Sequence, residues 1–386
     1  MKNNMENKDN NIELHTVPLN WNEFFFTNCP VVSAGNIDVS LGWAAADFRA
    51  AGIEYGYLRS RVENDMYPHF IHNLDNMIRH GALYPPLNAH ADHRRTRLLG
   101  ATMVYEGGCM AVRAEDQLWR MEDLRGKKIG LTKSLNPVRN DWWRVQMHAG
   151  IENMLKINGM TIDDVEIVEF PYPDVDGYYD PNGKPIYDPA DQWIAGGKHS
   201  ADIKRITLED ALLNGEIDGF YTPSKNMQHI QEDTGKIKMI EDLSQHPDWT
   251  LQVESNPAVI TCSDVMAEEH PELVVMYMKN MIKAGRWANK YKQAAAVLLN
   301  NRTYYRDADD TYEGIKHVDM VPNLSPKSLA CIKIGKDFMF RHGYNKNDFD
   351  VNEWAAPEFL EQAMKELIEE EWKVESEAKF PQTSEL

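Results

Sequence analysis

The stretch between positions 123 and 224 constrains the fold most. It reads "DLRGKKIGLTKS", later "DDVEIVEF", then "EDALLNGEIDGFYTPS". Each polar turn enters a short apolar run, and a helix-period segment closes at Gly215 before the next run begins. Strands alternating with helices imply α/β units and largely parallel sheets. Ligands of such sheets bind at the carboxyl ends of the strands, which directs attention to the tip from Asp218 to Thr222.

The same grammar opens the chain. "FFFTNCPVV" reads as a buried strand ending in a turn at Cys29-Pro30. "NIDVSLGWAAADFRAAG" reads as a helix with Asn36 as N-cap and Gly52 as its end, and "IEYGYLRS" as a short strand. "RTRLLGATMVY" and "GCMAVRA" read as strands around a Gly107-Gly108 turn, and a long helix is expected over 137–158. After "NPAVITCSDV" the chain turns helical, as if returning to its first domain.

A length of 386 residues allows two cores. The expected division is a first lobe of 17–115 plus 260–373 and a second lobe of 116–259. Residues 1–16 read as a flexible leader and 374–386 as a disordered tail. The Pro-, Gly-, Asp- and Tyr-rich insertion 171–199 reads as a lid over a cleft.

Charge narrows the partners. Lys and Arg number 41 against 60 Asp and Glu, a net of −19. Nucleic acid and anionic membranes require a basic face, so neither is expected as a partner. Four separated cysteines, Cys29, Cys109, Cys262 and Cys331, offer neither a disulfide framework nor a zinc motif. The polar N-terminus lacks a signal-peptide core. A cytoplasmic, monomeric protein is the expectation.

Cys29 admits three readings. A lipid anchor fails because three phenylalanines and Asn28 precede it in place of a lipobox. A buried core thiol is the default for a free cysteine. A reactive thiol needs a cation, an imidazole or a helix N-terminus nearby. Candidate partners lie in "YPHFIHNLDNMIRHGALYPPLNAHADHRRTRLLG", where His69/His72 and His90/His93 form two HxxH pairs. A metal centre built on the His69–His93 cluster is one reading of them. Solvated loop histidines are the other.

"TNCPV", "AAGIE", "RTRLLG" and "WAAPEFL", with a ten-residue interval from His69 to Arg79, occur in this order along the chain. In them the sequence resembles the 2'-hydroxybiphenyl-2-sulfinate desulfinase family of dibenzothiophene desulfurisation. The broader α/β pattern, over roughly 20–300, resembles the two-lobed, type II periplasmic-binding-protein-like fold of the nitrate/sulfonate branch, with a ligand cleft between lobes. The resemblance implies a cofactor-free enzyme that cleaves the C–S bond of an aromatic sulfinate and releases sulfite. It implies Cys29, His69 and Arg79 as the catalytic set, and Thr27, Asn28, Arg79, Gly81 and Ala82 around the substrate. Ala82 stands where the family motif has a second glycine, and Phe26 where a tyrosine is expected, which removes a hydroxyl near the pocket. "LNPVRNDWWRVQMHAG" departs from the family and is expected to help line the pocket. A non-catalytic sulfonate or aromatic-acid binding protein of an uptake system is the alternative.

Overall fold

The computed structural model describes residues 21–63, 65–104, 107–136, 138–172, 184–192, 208–252, 257–303 and 305–379. The first sheet grows around β1 (Glu23–Asn28), whose apolar run is buried on both faces. A strand buried on both sides belongs inside a parallel region. β1 pairs in parallel with β2 (Glu54–Tyr57) and β3 (Met77–Gly81). β10 (Ala258–Ser263) returns late in the chain, antiparallel to β3 and to β4 (Thr96–Thr102), giving the order β2-β1-β3-β10-β4.

The second sheet repeats this plan. β6 (Lys128–Ser134) lies parallel to β7 (Glu166–Tyr172) and β8 (Gly219–Pro223). β5 (Gly108–Arg113) runs antiparallel to β8 and to β9 (Ile237–Asp242), giving β7-β6-β8-β5-β9. Each sheet therefore has four strands pointing one way and one strand, β10 in the first and β5 in the second, running against them, in keeping with the largely parallel sheets expected.

Several boundaries move. β5 lies inside the expected first lobe, 17–115, yet it is hydrogen-bonded into the second sheet. The crossing thus falls between Thr102 and Gly108, and the return begins at Ala258. Gly107 and Gly108 do not join a hairpin. A Cβ on Gly108 would lie 2.0 Å from the Tyr221 hydroxyl, and one on Gly107 would lie 2.3 Å from the Ser244 amide. Close packing, not a turn, demands both glycines. Asp218 precedes β8 at its amino end and pairs with Arg113 at 3.3 Å, so it is structural and not a cleft residue.

The first helix begins at Ala34, capped by Ser33, whose hydroxyl accepts from the Asn36 amide at 3.2 Å. Asn36 lies inside it, not at its cap. Gly42, at φ 71°, breaks the expected single helix into Ala34–Leu41 and Trp43–Ala50. The expected 137–158 helix spans Trp142–Ile157, capped by Asp141. The expected tail 374–386 is helical through 379, as the end of Pro357–Lys379. The leader 1–16 lies outside the described residues.

Of the expected lid 171–199, Pro171 and Tyr172 finish β7. Within 184–192, Ile186 donates its amide to the Arg59 carbonyl at 2.9 Å, and Asp188 pairs with Arg302 at 2.7 Å. The remainder lies outside the described residues. Among the described residues, no helix is long and apolar enough to cross a membrane.

Candidate functional site

Strand alternation sorts the residues around Cys29. Phe24 and Phe26 face the first-lobe core, where the Phe26 ring stacks on Tyr55 at 4.9 Å. The missing hydroxyl at Phe26 therefore concerns the core and not the pocket. Phe25 and Thr27 face the other way, onto a cluster formed by Leu58, Met66, Tyr67, Phe70, Ile71, Leu74 and Met77. The short helix Tyr67–Ile71 covers that face and delivers His69. Pro68 in its first turn presets φ, and the Asp65 carboxylate accepts from the Tyr67 amide at 3.0 Å. It stops at His72, held at φ 53°, where its Nε2 meets the Thr261 hydroxyl at 2.8 Å.

Cys29 follows β1 at its carboxyl end. Its amide donates to the His80 carbonyl at 3.0 Å, and its own carbonyl accepts from the Val31 amide at 2.8 Å. Asn36 Nδ2 donates to the carbonyls of Cys29, at 2.9 Å, and Val31, at 2.8 Å. The loop is thus clamped from the first helix. Cys29 Sγ lies 3.2 Å from His69 Nε2, while His69 Nδ1 lies 2.8 Å from Thr27 Oγ1. Arg79, opposite Thr27 in the β1–β3 register, donates through Nη2 to Cys29 Sγ at 3.3 Å and through Nε to the His69 carbonyl at 2.9 Å.

This cluster leaves one strong donor unused. Arg79 is fully buried, and its Nη1 has no hydrogen-bond partner among the described residues. Burial pulls its basicity down, and the Cys29 sulfur offsets part of that pull. A buried guanidinium without a carboxylate partner among the described residues is costly. Burial first, then Arg79 and His72, hold His69 well below its ordinary value, so its ring is neutral.

Gly81 closes the far side. A Cβ there would lie 2.3 Å from Cys29 Sγ, so the thiol requires this glycine. Cys29 and Ala82 are half-buried, while Thr27, His69 and Arg79 around them are sealed. Access to the thiol is therefore past Cys29 and Ala82.

Of the residues expected from sequence, Cys29, His69, Arg79, Gly81 and Thr27 converge. Thr27 meets His69, which makes it a positioning residue. Asn28 does not join them: it is buried on the opposite face and donates to Asn36 Oδ1 at 3.2 Å. The histidine cluster does not converge on an ion. His69 meets Cys29, His72 meets Thr261, and His90 Nδ1 meets the Thr96 hydroxyl at 3.1 Å.

The second lobe supplies the facing wall. Val138 and Trp142 pack on the cluster beneath His69. Asn136 Nδ2 reaches the Tyr67 hydroxyl at 3.4 Å, and the Arg139 guanidinium lies 5.3 Å over the Phe70 ring. The "LNPVRNDW" segment thus borders the site as expected. Phe70 and Arg139 were not singled out from sequence, and Asn36 only as a helix cap. An asparagine seven residues past a turn cysteine is a signal only once the intervening loop is known.

The fold and this cluster define a class: a two-lobed α/β protein of the periplasmic-binding-protein-like type, with a thiol beside a buried arginine. No family model matches the chain. Curated relatives bear out the resemblance read from sequence. The chain is 24% identical over 364 residues to the 2'-hydroxybiphenyl-2-sulfinate desulfinases of Rhodococcus erythropolis and Rhodococcus qingshengii, covering 88% of this chain and 93% of theirs. Among solved structures it is similar to the desulfurization enzyme DszB, at TM-score 0.65 and 22% identity, covering 89% of this chain and 99% of that one. A Cys-to-Ser variant of DszB in complex with biphenyl-2-sulfinic acid matches at TM-score 0.64 and 21% identity over 89% of this chain and 99% of that one. The sulfonate-binding protein SsuA of Methylobacillus flagellatus matches at TM-score 0.60 and 16% identity, over 89% of this chain and 94% of its own.

Proposed function

We propose that the protein is a desulfinase-like hydrolase that cleaves the C–S bond of an aromatic sulfinate and releases sulfite. The observation that carries this reading is the Cys29 thiol set between His69 Nε2 at 3.2 Å and Arg79 Nη2 at 3.3 Å, with Arg79 Nη1 still open. A sulfinate is a compact anion, and the Nη1–Nη2 edge of a guanidinium suits its oxygens. Similarity to desulfinases along most of the chain supports the same assignment.

In this reading Cys29 acts as the proton donor. A neutral, weakly basic His69 is a poor acceptor for the thiol proton. Cys29 S–H instead protonates the ring carbon that bears sulfur. The C–S electron pair stays with that carbon, the arene leaves with the new C–H bond, and SO₂ departs. The resulting thiolate is held by Arg79 Nη2. Water adds to SO₂ to give bisulfite, and the proton lost in that step returns to Cys29. The sum is a sulfinate plus water giving an arene plus bisulfite. Thr27 and His69 orient the thiol and the water.

The test incubates the protein with 2-phenylbenzenesulfinate and other aryl and alkyl sulfinates and measures sulfite. Release that persists in EDTA and vanishes in Cys29→Ser supports the assignment. Equal release by Cys29→Ser would sink the chemistry, and tight binding without sulfite would make this a sulfonate- or sulfinate-binding protein. Acid-quenched single turnovers should show no covalent SO₂ adduct on Cys29; finding one would replace the proton-donor step with nucleophilic attack.

A further inference from the structure

A second cluster lies away from Cys29, where the helix Trp142–Ile157 of the second lobe meets the end of Pro326–Arg341. His148 and Glu152 stand four residues apart on one helix face, and His342 caps the other helix. His148 Nε2 lies 3.4 Å from Glu152 Oε1, and His342 Nε2 lies 3.0 Å from the same oxygen. One ligand atom from each residue lies within 4.8 Å of the other two. A tetrahedral ion with bonds of roughly 2.0–2.2 Å spaces its ligand atoms about 3.3–3.6 Å apart. The two spacings to Glu152, 3.4 and 3.0 Å, lie close to that range.

The geometry points to a divalent transition-metal site, of the zinc, cobalt or nickel type, held by His148, Glu152 and His342 and joining the second lobe to the helical segment after β10. Two imidazoles and one carboxylate are a recurring set for such ions, with water completing the shell. The three side chains are 16%, 25% and 23% exposed, which leaves an entry path. Tyr344 Oη lies 3.0 Å from His148 Nδ1, the orienting contact that metal-binding histidines carry on their second nitrogen.

The surroundings also hold cations. Arg341 lies 3.6 Å from Glu152 Oε2 and donates through Nε to His342 Nε2 at 3.4 Å, but its side chain is 62% exposed and free to swing away. Arg144 also acts on His148. Arg341 is therefore the group an arriving ion displaces.

The test titrates CoCl₂ into the EDTA-stripped full chain carrying Cys29→Ser, which removes the accessible thiol as a competing ligand. The expected result is one equivalent bound, with visible bands of low-coordinate cobalt that zinc abolishes. Glu152→Gln preserves the size of the group and should weaken binding about 10–100-fold, while Tyr344→Phe should weaken it about 10-fold. Arg341→Ala should tighten binding, an outcome that a fold defect would not produce. Circular dichroism confirms that each variant is folded. Failure to saturate below about 1 mM cobalt, or affinity unchanged in both Glu152→Gln and His342→Ala, would overturn the assignment. None of these readouts depends on sulfite release.

Discussion

Arg79 is buried completely, donates to a sulfur and a carbonyl, and has no carboxylate beside it among the described residues to balance its charge. Its planar fork is what lets one residue hold Cys29, fix the His69 backbone and still present Nη1. Lysine cannot do the three together. Arg79→Lys should lower kcat/KM for sulfinate by about 100-fold or more, because an ammonium replaces a fork with a point charge. Steady-state sulfite assays check this, and near-normal turnover would remove Arg79 from the centre of the site. Gly81→Ala tests a different contact. The new Cβ would overlap Cys29 Sγ at 2.3 Å, so the thiol must move out of reach of His69. Activity should be lost while Arg79 is retained. Five of the site residues, Cys29, His69, Arg79, Gly81 and Thr27, were legible in the sequence because a resemblance tied them together. Asn28 was misplaced for a physical reason: it adjoins Cys29 in sequence, but strand alternation turns it to the opposite face.

At the scale of elements, the first helix does more than cover β1. Ser33 caps it, which frees the Asn36 side chain to reach back to the Cys29 and Val31 carbonyls. Read from the sequence, Asn36 is the expected cap, but Ser33 is an equally good capping residue and takes the place. The choice is made by the buried carbonyls of the turn, which need a donor that serine could not extend to both. Asn36→Ala leaves those two acceptors unmet and should cost about 1–3 kcal/mol in chemical denaturation. It should also loosen Cys29, so that kcat falls by more than the loss of folded protein explains. A variant as stable and active as the parent would show that the clamp holds nothing. Gly42 was passed over in the sequence because the helical pattern runs through it; only its left-handed φ of 71° shows two helices there.

At the scale of the whole molecule, the two-lobed plan was legible because glycine-closed helices punctuate the strands. The lobe boundary was not. β5 follows β4 by few residues yet pairs with strands far ahead of it, at β8 and β9, and no local pattern announces such long-range pairing. The same burial that assembles the lobes withholds protons from a set of histidines. His69 and His72 are held well below the ordinary value, His80 is pushed down to about 3, and His90 and His148 to about 4, in each case by burial before any charge. Unfolded, each titrates near 6.5. The unfolded chain therefore takes up protons below pH 6.5 that the fold refuses, so this stability is present in full above pH 6.5 and drains away as pH falls toward 4. Asp38 acts with the opposite sign: burial raises it to about 6, so the fold gains proton affinity there between pH 6 and 4. Burial raises Asp65 as well, so two carboxyls oppose these imidazoles, with His93 and His229 also held down by burial, and the net effect is acid lability. Urea unfolding followed from pH 8 to 4.5 should show constant stability above pH 7 and a steep fall below 6. His80, with neither ring nitrogen hydrogen-bonded among the described residues, isolates one share of that slope. His80→Leu should flatten it by up to about 1.4 kcal/mol per pH unit. Stability that stays level from pH 7 to pH 5 would mean that the buried histidines accept protons in place, and that the sealed environment of His69 and Arg79 is not sealed in solution.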